Sequence, residues 1–566
     1  MKRLLTTLLV LFLVTAINAD DGESQGPTLA DARQAVAKND FVGATMLLEV
    51  VTAREPKNAQ AWQLLGFSLH SQRRFEEALK AHTTAAGFKA TAGIGAYNAA
   101  CACAMLERAD DAIAWLTKAQ QAGHDISAAK TDPDLKSIQK APAFANLFPN
   151  VLAGSASFVE NPRVLHTLDG EAAGDQFGWV ARAVDDLDQD GVLDFAATAP
   201  THASKGPASG RVYVYSGRSA KLLFTMDGSP GQLLGSSVGP AGDVNADGTP
   251  DIFAGAPGSG KDGQSPGNAY VYSGKDGSLL LSLSAAENND GFGTSVCSLG
   301  DLNKDGHSDL FVGAISSGKQ GSGSGAGYVY SGKEGVLLFS IPAESAGATF
   351  GSAAACTRGG EPNLLVIGSM TAGPKNTGRA YVYGVSDQGA ELRFTILGDD
   401  TSSNLGQYFV AIAGDVDNDG TKDIYASDFN NGALGSGTGR VFVHSGRTGE
   451  SILTLTGSVA GEGFGTSPSN AGDVNRDGHA DFIVGAWQHS SAAPSGGRCY
   501  LLSGKDGSQL ATYTCKQAGD TLGFDAVGIG DVDGDGGIDF LLTSAWSPVH
   551  GRQTGRVFVI AGPTFE

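Results

Sequence analysis

Residues Gly463–Gly504, GFGTSPSNAGDVNRDGHADFIVGAWQHSSAAPSGGRCYLLSG, decide the reading of this chain. An apolar Phe-Gly pair opens the stretch. A short strand, an acidic turn, an apolar strand (DFIVGA) and a Gly-led alternating strand follow. In the turn, Asp473, Asn475 and Asp477 alternate with other residues, Gly478 permits a sharp bend, and Asp481 closes it. Several oxygens thus converge on one point, an arrangement suited to a hard cation, with Ca2+ its natural occupant.

The turn recurs. First aspartates stand at Asp186, Asp243, Asp301, Asp415, Asp473 and Asp531, spaced by 57 or 58 residues except for one double step after Asp301. Nine or ten residues before each lies an apolar-Gly pair: Phe177-Gly178, Leu234-Gly235, Phe292-Gly293, Leu405-Gly406, Phe464-Gly465 and Leu522-Gly523. The unit inside the double step keeps its pair, Phe350-Gly351, but its turn, from Thr357 to Leu365, carries Glu361 as its only acid. Alternating strands led by Gly210, Gly267, Gly325, Gly378, Gly439, Gly497 and Gly555 complete seven repeats. A period near 58 holding about four short strands predicts propeller blades. The stretch RVLHTLDG from Arg163 matches KLLFTMDG, the fourth strand of the first unit, while the seventh unit ends at its third strand. The strand at 163–168 is therefore expected to pair with the one from Gly555 and close the ring.

The Phe-Gly opening, the Asp-x-Asp/Asn-x-Asp-Gly-x-x-Asp turn and a following Gly-Ala-Pro, complete at Gly255-Ala256-Pro257, resemble the FG-GAP repeats of integrin alpha-subunit propellers and of many secreted bacterial proteins. The resemblance covers residues 163–566. It implies a calcium-binding scaffold for protein interaction or adhesion, with a glycan-binding propeller as the alternative.

Positions one, three, five and nine of each turn supply side-chain oxygens, and position seven a backbone carbonyl. The metal-ligating sets are Asp186, Asp188, Asp190 and Asp194; Asp243, Asn245, Asp247 and Asp251; Asp301, Asn303, Asp305 and Asp309; Asp415, Asp417, Asp419 and Asp423; Asp473, Asn475, Asp477 and Asp481; and Asp531, Asp533, Asp535 and Asp539. His307 and His479, at position seven, are expected to offer only their carbonyls. Up to six Ca2+ ions are expected, in structural roles because each turn joins two strands rather than opening onto a cleft. Six divalent ions would bring the formal charge of −21 to about −9. That acidity argues against nucleic acid, which requires basic grooves.

Upstream, 1–19 reads as a secretory signal peptide: Lys2 and Arg3, an apolar run, then small residues ending at Ala19. No other run approaches the length of a membrane span. A secreted, periplasmic or cell-surface protein is expected. Residues 20–26 form a polar spacer, 27–150 an all-α helical repeat domain, 151–162 a linker, and 163–566 the all-β propeller. In the helical part, Ala44, Ala78 and Ala112 recur every 34 residues, and Trp62, Leu65, Gly66, Phe75, Ala78 and Ala85 resemble a tetratricopeptide repeat. The segment from Asp132 to Phe148 is expected to add a closing helix.

Six cysteines are too few for a disulfide framework in a chain of this length. Cys499 and Cys515, on successive strands of one blade, could bridge. Trp179, Trp487 and Trp546 occupy comparable blade positions and serve either sugar stacking or packing between blades. Neither a Gly-x-Ser-x-Gly elbow nor a His-Glu-x-x-His helix is present, and the ten histidines are scattered, so an enzyme is not expected. The partner is expected to be a protein or a surface glycan.

Overall fold

The computed structural model describes residues 26–122, 157–258, 260, 265–285, 287, 289–359 and 362–565, and, between 123 and 144, residues 124, 126, 129, 132–139, 141 and 144. The signal-peptide reading lies outside these residues, as do most of the polar spacer, 151–156 of the linker, and Glu361. The chain divides into two compact units between Asn150 and Val151.

The first unit holds six helices among the described residues: Leu29–Ala37, Phe41–Arg54, Ala59–Ser71, Phe75–Ala86, Ala92–Met105 and Ala109–Gln121. Each packs on the next in sequence. Ala44, Ala78 and Ala112 are fully buried, so the 34-residue recurrence marks points where helices approach closely. The closing helix expected from Asp132 to Phe148 is not formed over 132–139, and 140, 142, 143 and 145–148 lie outside the described residues. Pro133 and the Asp132 cap start only a short 3-10 turn, Pro133–Leu135.

Among its described residues the second unit holds 28 strands in seven four-stranded antiparallel sheets, a seven-bladed propeller. Second strands such as Asp194–Ala199, Asp309–Ala314 and Asp481–Ala486 are buried along their whole length. They lie between neighbouring blades and therefore read as unbroken apolar runs rather than alternating ones. Fourth strands such as Leu337–Pro342 are largely exposed.

Adjacent blades are joined where the two invariant elements of the repeat meet. At six of the seven junctions the glycine that leads a third strand forms a parallel bridge to the apolar residue opening the next blade, as in Gly210 with Leu234 and Gly325 with Phe350, and at the seventh the Phe464 N–H donates to the carbonyl of Thr438, beside Gly439, at 3.0 Å. Gly210 has φ of 81°, and a Cβ there would stand 2.2 Å from the Leu234 carbonyl oxygen, so only glycine fits. Phe177, Phe292 and Phe350 are at most 1% exposed. Each such burial contributes about 1.5–3 kcal/mol. A second set of contacts joins neighbouring blades, four of its donors lying on first strands and Ser427 on the second strand Asp423–Asp428. The hydroxyls of Ser237, Ser295, Ser352, Ser427 and Thr466 donate to the carbonyls of Gly293, Gly351, Gly406, Gly465 and Gly523, each in the following blade.

Ring closure follows the expected route. Val164–Asp169 pairs antiparallel with Arg556–Ile560 as the outer strand of the seventh blade. The junction with blade one repeats the pattern seen elsewhere, with Gly555 bridged to Phe177.

The cysteine reading is corrected. Cys499 sits opposite Tyr513, not Cys515, and the Cys515 thiol donates instead to Asp520 Oδ2 at 3.2 Å; both thiols are free and buried. The disulfide joins Cys297 to Cys356, with their Cα atoms 6.3 Å apart. It ties the first strand of blade three to that of blade four, a pairing between units that a search within one blade does not find.

Candidate metal centre

Each acidic turn links the first and second strands of its blade and is shaped by its own carboxylates. At position one, Asp186 Oδ1 accepts the Asp190 N–H at 3.1 Å and Oδ2 accepts the Gly191 N–H at 2.9 Å. Asp243, Asp301, Asp415, Asp473 and Asp531 make the same pair. At position five, Oδ1 accepts the N–H of position seven in every turn. These bonds satisfy the bend and leave the position-five Oδ2 facing out of the backbone cradle.

Position nine does something else. Asp194, Asp251, Asp309, Asp423, Asp481 and Asp539 are at most 1% exposed. In each, Oδ2 accepts the N–H of position two, and Oδ1 accepts the N–H of a glycine 23 residues on, at the end of the third strand. The residue is thus a clamp between turn and blade as well as a ligand candidate. Burial pushes the carboxyls of Asp251, Asp423 and Asp539 up to about 6 and raises those of Asp194, Asp309 and Asp481.

The six turns fall into two sets. Where position three is aspartate, three acidic oxygens gather within 4.8 Å of one another: Asp186, Asp188 and Asp194 in blade one, Asp415, Asp417 and Asp423 in blade five, and Asp531, Asp533 and Asp535 in blade seven. Where it is asparagine, the amide of Asn245, Asn303 or Asn475 donates to the Oδ2 of Asp247, Asp305 or Asp477 at 3.0–3.3 Å. An all-oxygen set rich in carboxylates fits Ca2+. Without a cation such clustered charge is repulsive.

Arginines accompany the first set, which the sequence reading missed. Arg218 Nε meets Asp190 Oδ2 at 3.0 Å, and Arg447 approaches Asp419 Oδ2 at 3.4 Å. Arg163 bridges Asp533 and Asp535. The signal was present: Arg218 and Arg447 stand after Ser-Gly where Lys275, Lys333 and Lys505 stand in the asparagine blades. Side chains also join neighbouring turns. His307 Nδ1 lies 2.6 Å from the Val244 carbonyl and His479 Nδ1 2.7 Å from that of Val416, so these imidazoles contribute more than their own carbonyls.

Blade four closes its turn without an acid among the described residues. Thr357 Oγ1 accepts the Leu364 N–H at 2.8 Å and contacts Asn363 Oδ1, while the Asn363 amide donates to the Leu299 carbonyl of blade three. Arg358 forms a two-point ion pair with Asp185 of blade one, from the opposite side of the ring.

The predicted tryptophans come together. Trp179, Trp487 and Trp546 pack around Phe524, with ring centroids 4.9–6.0 Å from it. They edge a cavity of about 480 Å³ lined by residues of all seven blades, including Tyr408, Phe409 and Phe429 and the Arg182–Asp525 ion pair.

A family model described as FG-GAP-like repeat matches residues 243–312, and one described as FG-GAP repeat matches residues 177–215. Integrin alpha-E of Mus musculus is 36% identical over 174 residues, which are 27% of this chain and 15% of the integrin. Integrin alpha-6 of Gallus gallus is 33% identical over 173 residues, 28% of this chain and 15% of the integrin. Integrin alpha-2 of Mus musculus is 27% identical over 209 residues, 34% of this chain and 17% of the integrin. The chain therefore spans less than a fifth of the length of these relatives. The C-terminal unit is a seven-bladed propeller that matches FG-GAP-type repeats over residues 177–215 and 243–312 and is similar over part of its length to integrin alpha subunits.

Proposed function

We propose that the chain is an extracytoplasmic, non-catalytic interaction scaffold of the adhesion type, whose propeller is stiffened by Ca2+ held in its acidic turns. The observation that carries this reading is the gathering of three acidic oxygens within 4.8 Å in each of three turns, repeated in spacing and hydrogen bonding by the other three. The ligands would come from positions one, three, five and nine. Bound calcium would neutralise those carboxylates and lock the first two strands of a blade. At a dissociation constant near 0.1 mM and free calcium near 1 mM, each ion contributes about 1.4 kcal/mol. The same reading takes 1–19 as a signal peptide, 27–150 as tetratricopeptide-type repeats, and the partner as a protein. Immobilised full chain tests it: it should retain a protein from the extracellular fraction in calcium and release it on chelation. Retention that ignores calcium would count against the scaffold being metal-dependent.

The aromatic cavity favours a second reading, a glycan ligand. Indole and phenyl faces suit sugar rings, the Arg182–Asp525 pair offers a donor and an acceptor side by side, and about 480 Å³ lies within the usual size of small-ligand sites. A neutral-glycan array separates the readings, because Trp546→Ala should abolish glycan capture while leaving calcium-dependent protein retention in place.

A further inference from the structure

We propose that Arg163 serves as the cation of the seventh turn, so that the propeller takes five calcium ions rather than six. The inference rests on the calcium reading of the other turns. Three turns gather acidic oxygens, but their arginines stand differently. In blades one and five the converging atoms belong to positions one, three and nine, and the arginines stay outside that group: Arg218 touches position five, and Arg447 touches positions five and seven. In blade seven the converging atoms belong to Asp531, Asp533 and Asp535, and the Arg163 guanidinium bridges the last two. The charge that a divalent ion would neutralise is thus already paired, with one guanidinium nitrogen, Nη2, held between the two carboxylates.

Arg163 reaches this place because of the ring closure. It immediately precedes Val164–Asp169, the strand that completes blade seven, and the Ala561 N–H donates to its carbonyl at 2.9 Å, which fixes the backbone beside the turn. Arg218 and Arg447 instead follow the third strands of their own blades, a place taken in blade seven by Pro563, which carries no charge. The closing segment therefore brings in the missing cation along with the missing strand. A sixth ion would have to displace Arg163 and would loosen the start of the closing strand.

Calcium bound per full-length chain, counted by native mass spectrometry after dialysis against a fixed excess of free Ca2+, tests this. The wild type should carry five ions and Arg163→Gln six. The double variant Asp533→Asn, Asp535→Asn leaves Arg163 in place and should still carry five, whereas Asp186→Ala, which removes the position-one ligand of blade one, should carry four. Six ions in the wild type, with five in the double variant, would overturn the assignment while leaving the calcium reading intact. Five ions in Arg163→Gln would also overturn it. No bound ion in any variant would sink the calcium reading and this inference with it.

Discussion

Blade four and its six neighbours reach the same four-stranded sheet with opposite chemistry at the same turn. The neighbours use carboxylates, which accept the N–H groups of the bend at the expense of gathered negative charge. Blade four uses the neutral Thr357 and Asn363 and adds two long-range ties, the Cys297–Cys356 disulfide and the Arg358–Asp185 pair. Among the described residues, the bonds that close this turn come from neutral groups. The proposal above gives the acids in the other six a use besides the bend, as ligands of a cation.

This contrast can be broken experimentally. The largest expected effect is chelation, which should remove about 7 kcal/mol from the propeller if five sites each contribute about 1.4. That lowers its melting temperature by roughly 8 °C, read by calorimetry. The effect should grow with pH. The position-nine acids Asp251, Asp423 and Asp539 hold their protons up to about pH 6 in the folded chain, against about 3.9 when unfolded. The folded, metal-free form therefore gains stability below about pH 4 and loses that gain as pH rises to about 6. Calcium requires the ionised form, so the gap between calcium and chelator melting curves should widen across that window. A constant gap would remove position nine from the ligand set.

Next in size is the tie particular to blade four. Cys356→Ser should cost about 3 kcal/mol through the lost cross-link, equally with and without calcium. A loss seen only in chelator would mean that the disulfide and the ions stabilise the same region. The smallest effect should come from one neighbour's turn. Asp477→Asn keeps the oxygen that accepts the His479 N–H but removes a charge, and should cost about 1 kcal/mol in calcium and almost nothing in chelator. An equal cost in both conditions would make that acid a structural group.

The fold was legible because its evidence is periodic. Seven Gly-led strands and seven apolar-Gly openings mark the two halves of each junction, and the spare strand before the first repeat matches the vacancy in the last. The turns were legible as chemistry for the same reason. What stayed hidden depends on relations between blades. Cys297 and Cys356 belong to different repeats, Arg358 meets Asp185 across the ring, and Arg163 meets Asp533 after a separation of about 370 residues. A pattern read along one repeat cannot show which side chain of another repeat will face it. The tryptophans were an intermediate case, since their equivalent positions were visible but their convergence on Phe524 depends on the curvature of the ring.

The register of the closing strand also has a mechanical meaning. Val164 lies opposite Ile560 and Asp169 opposite Arg556, so the chain enters and leaves blade seven at the same end of one antiparallel pair. Tension applied from before Val164 and after Ile560 would load the rungs between these strands one after another, as in opening a zipper, instead of shearing them together. A tether pulling through both ends would open this blade first. Load entering through only one of those ends and leaving through the propeller's side would spare the seam.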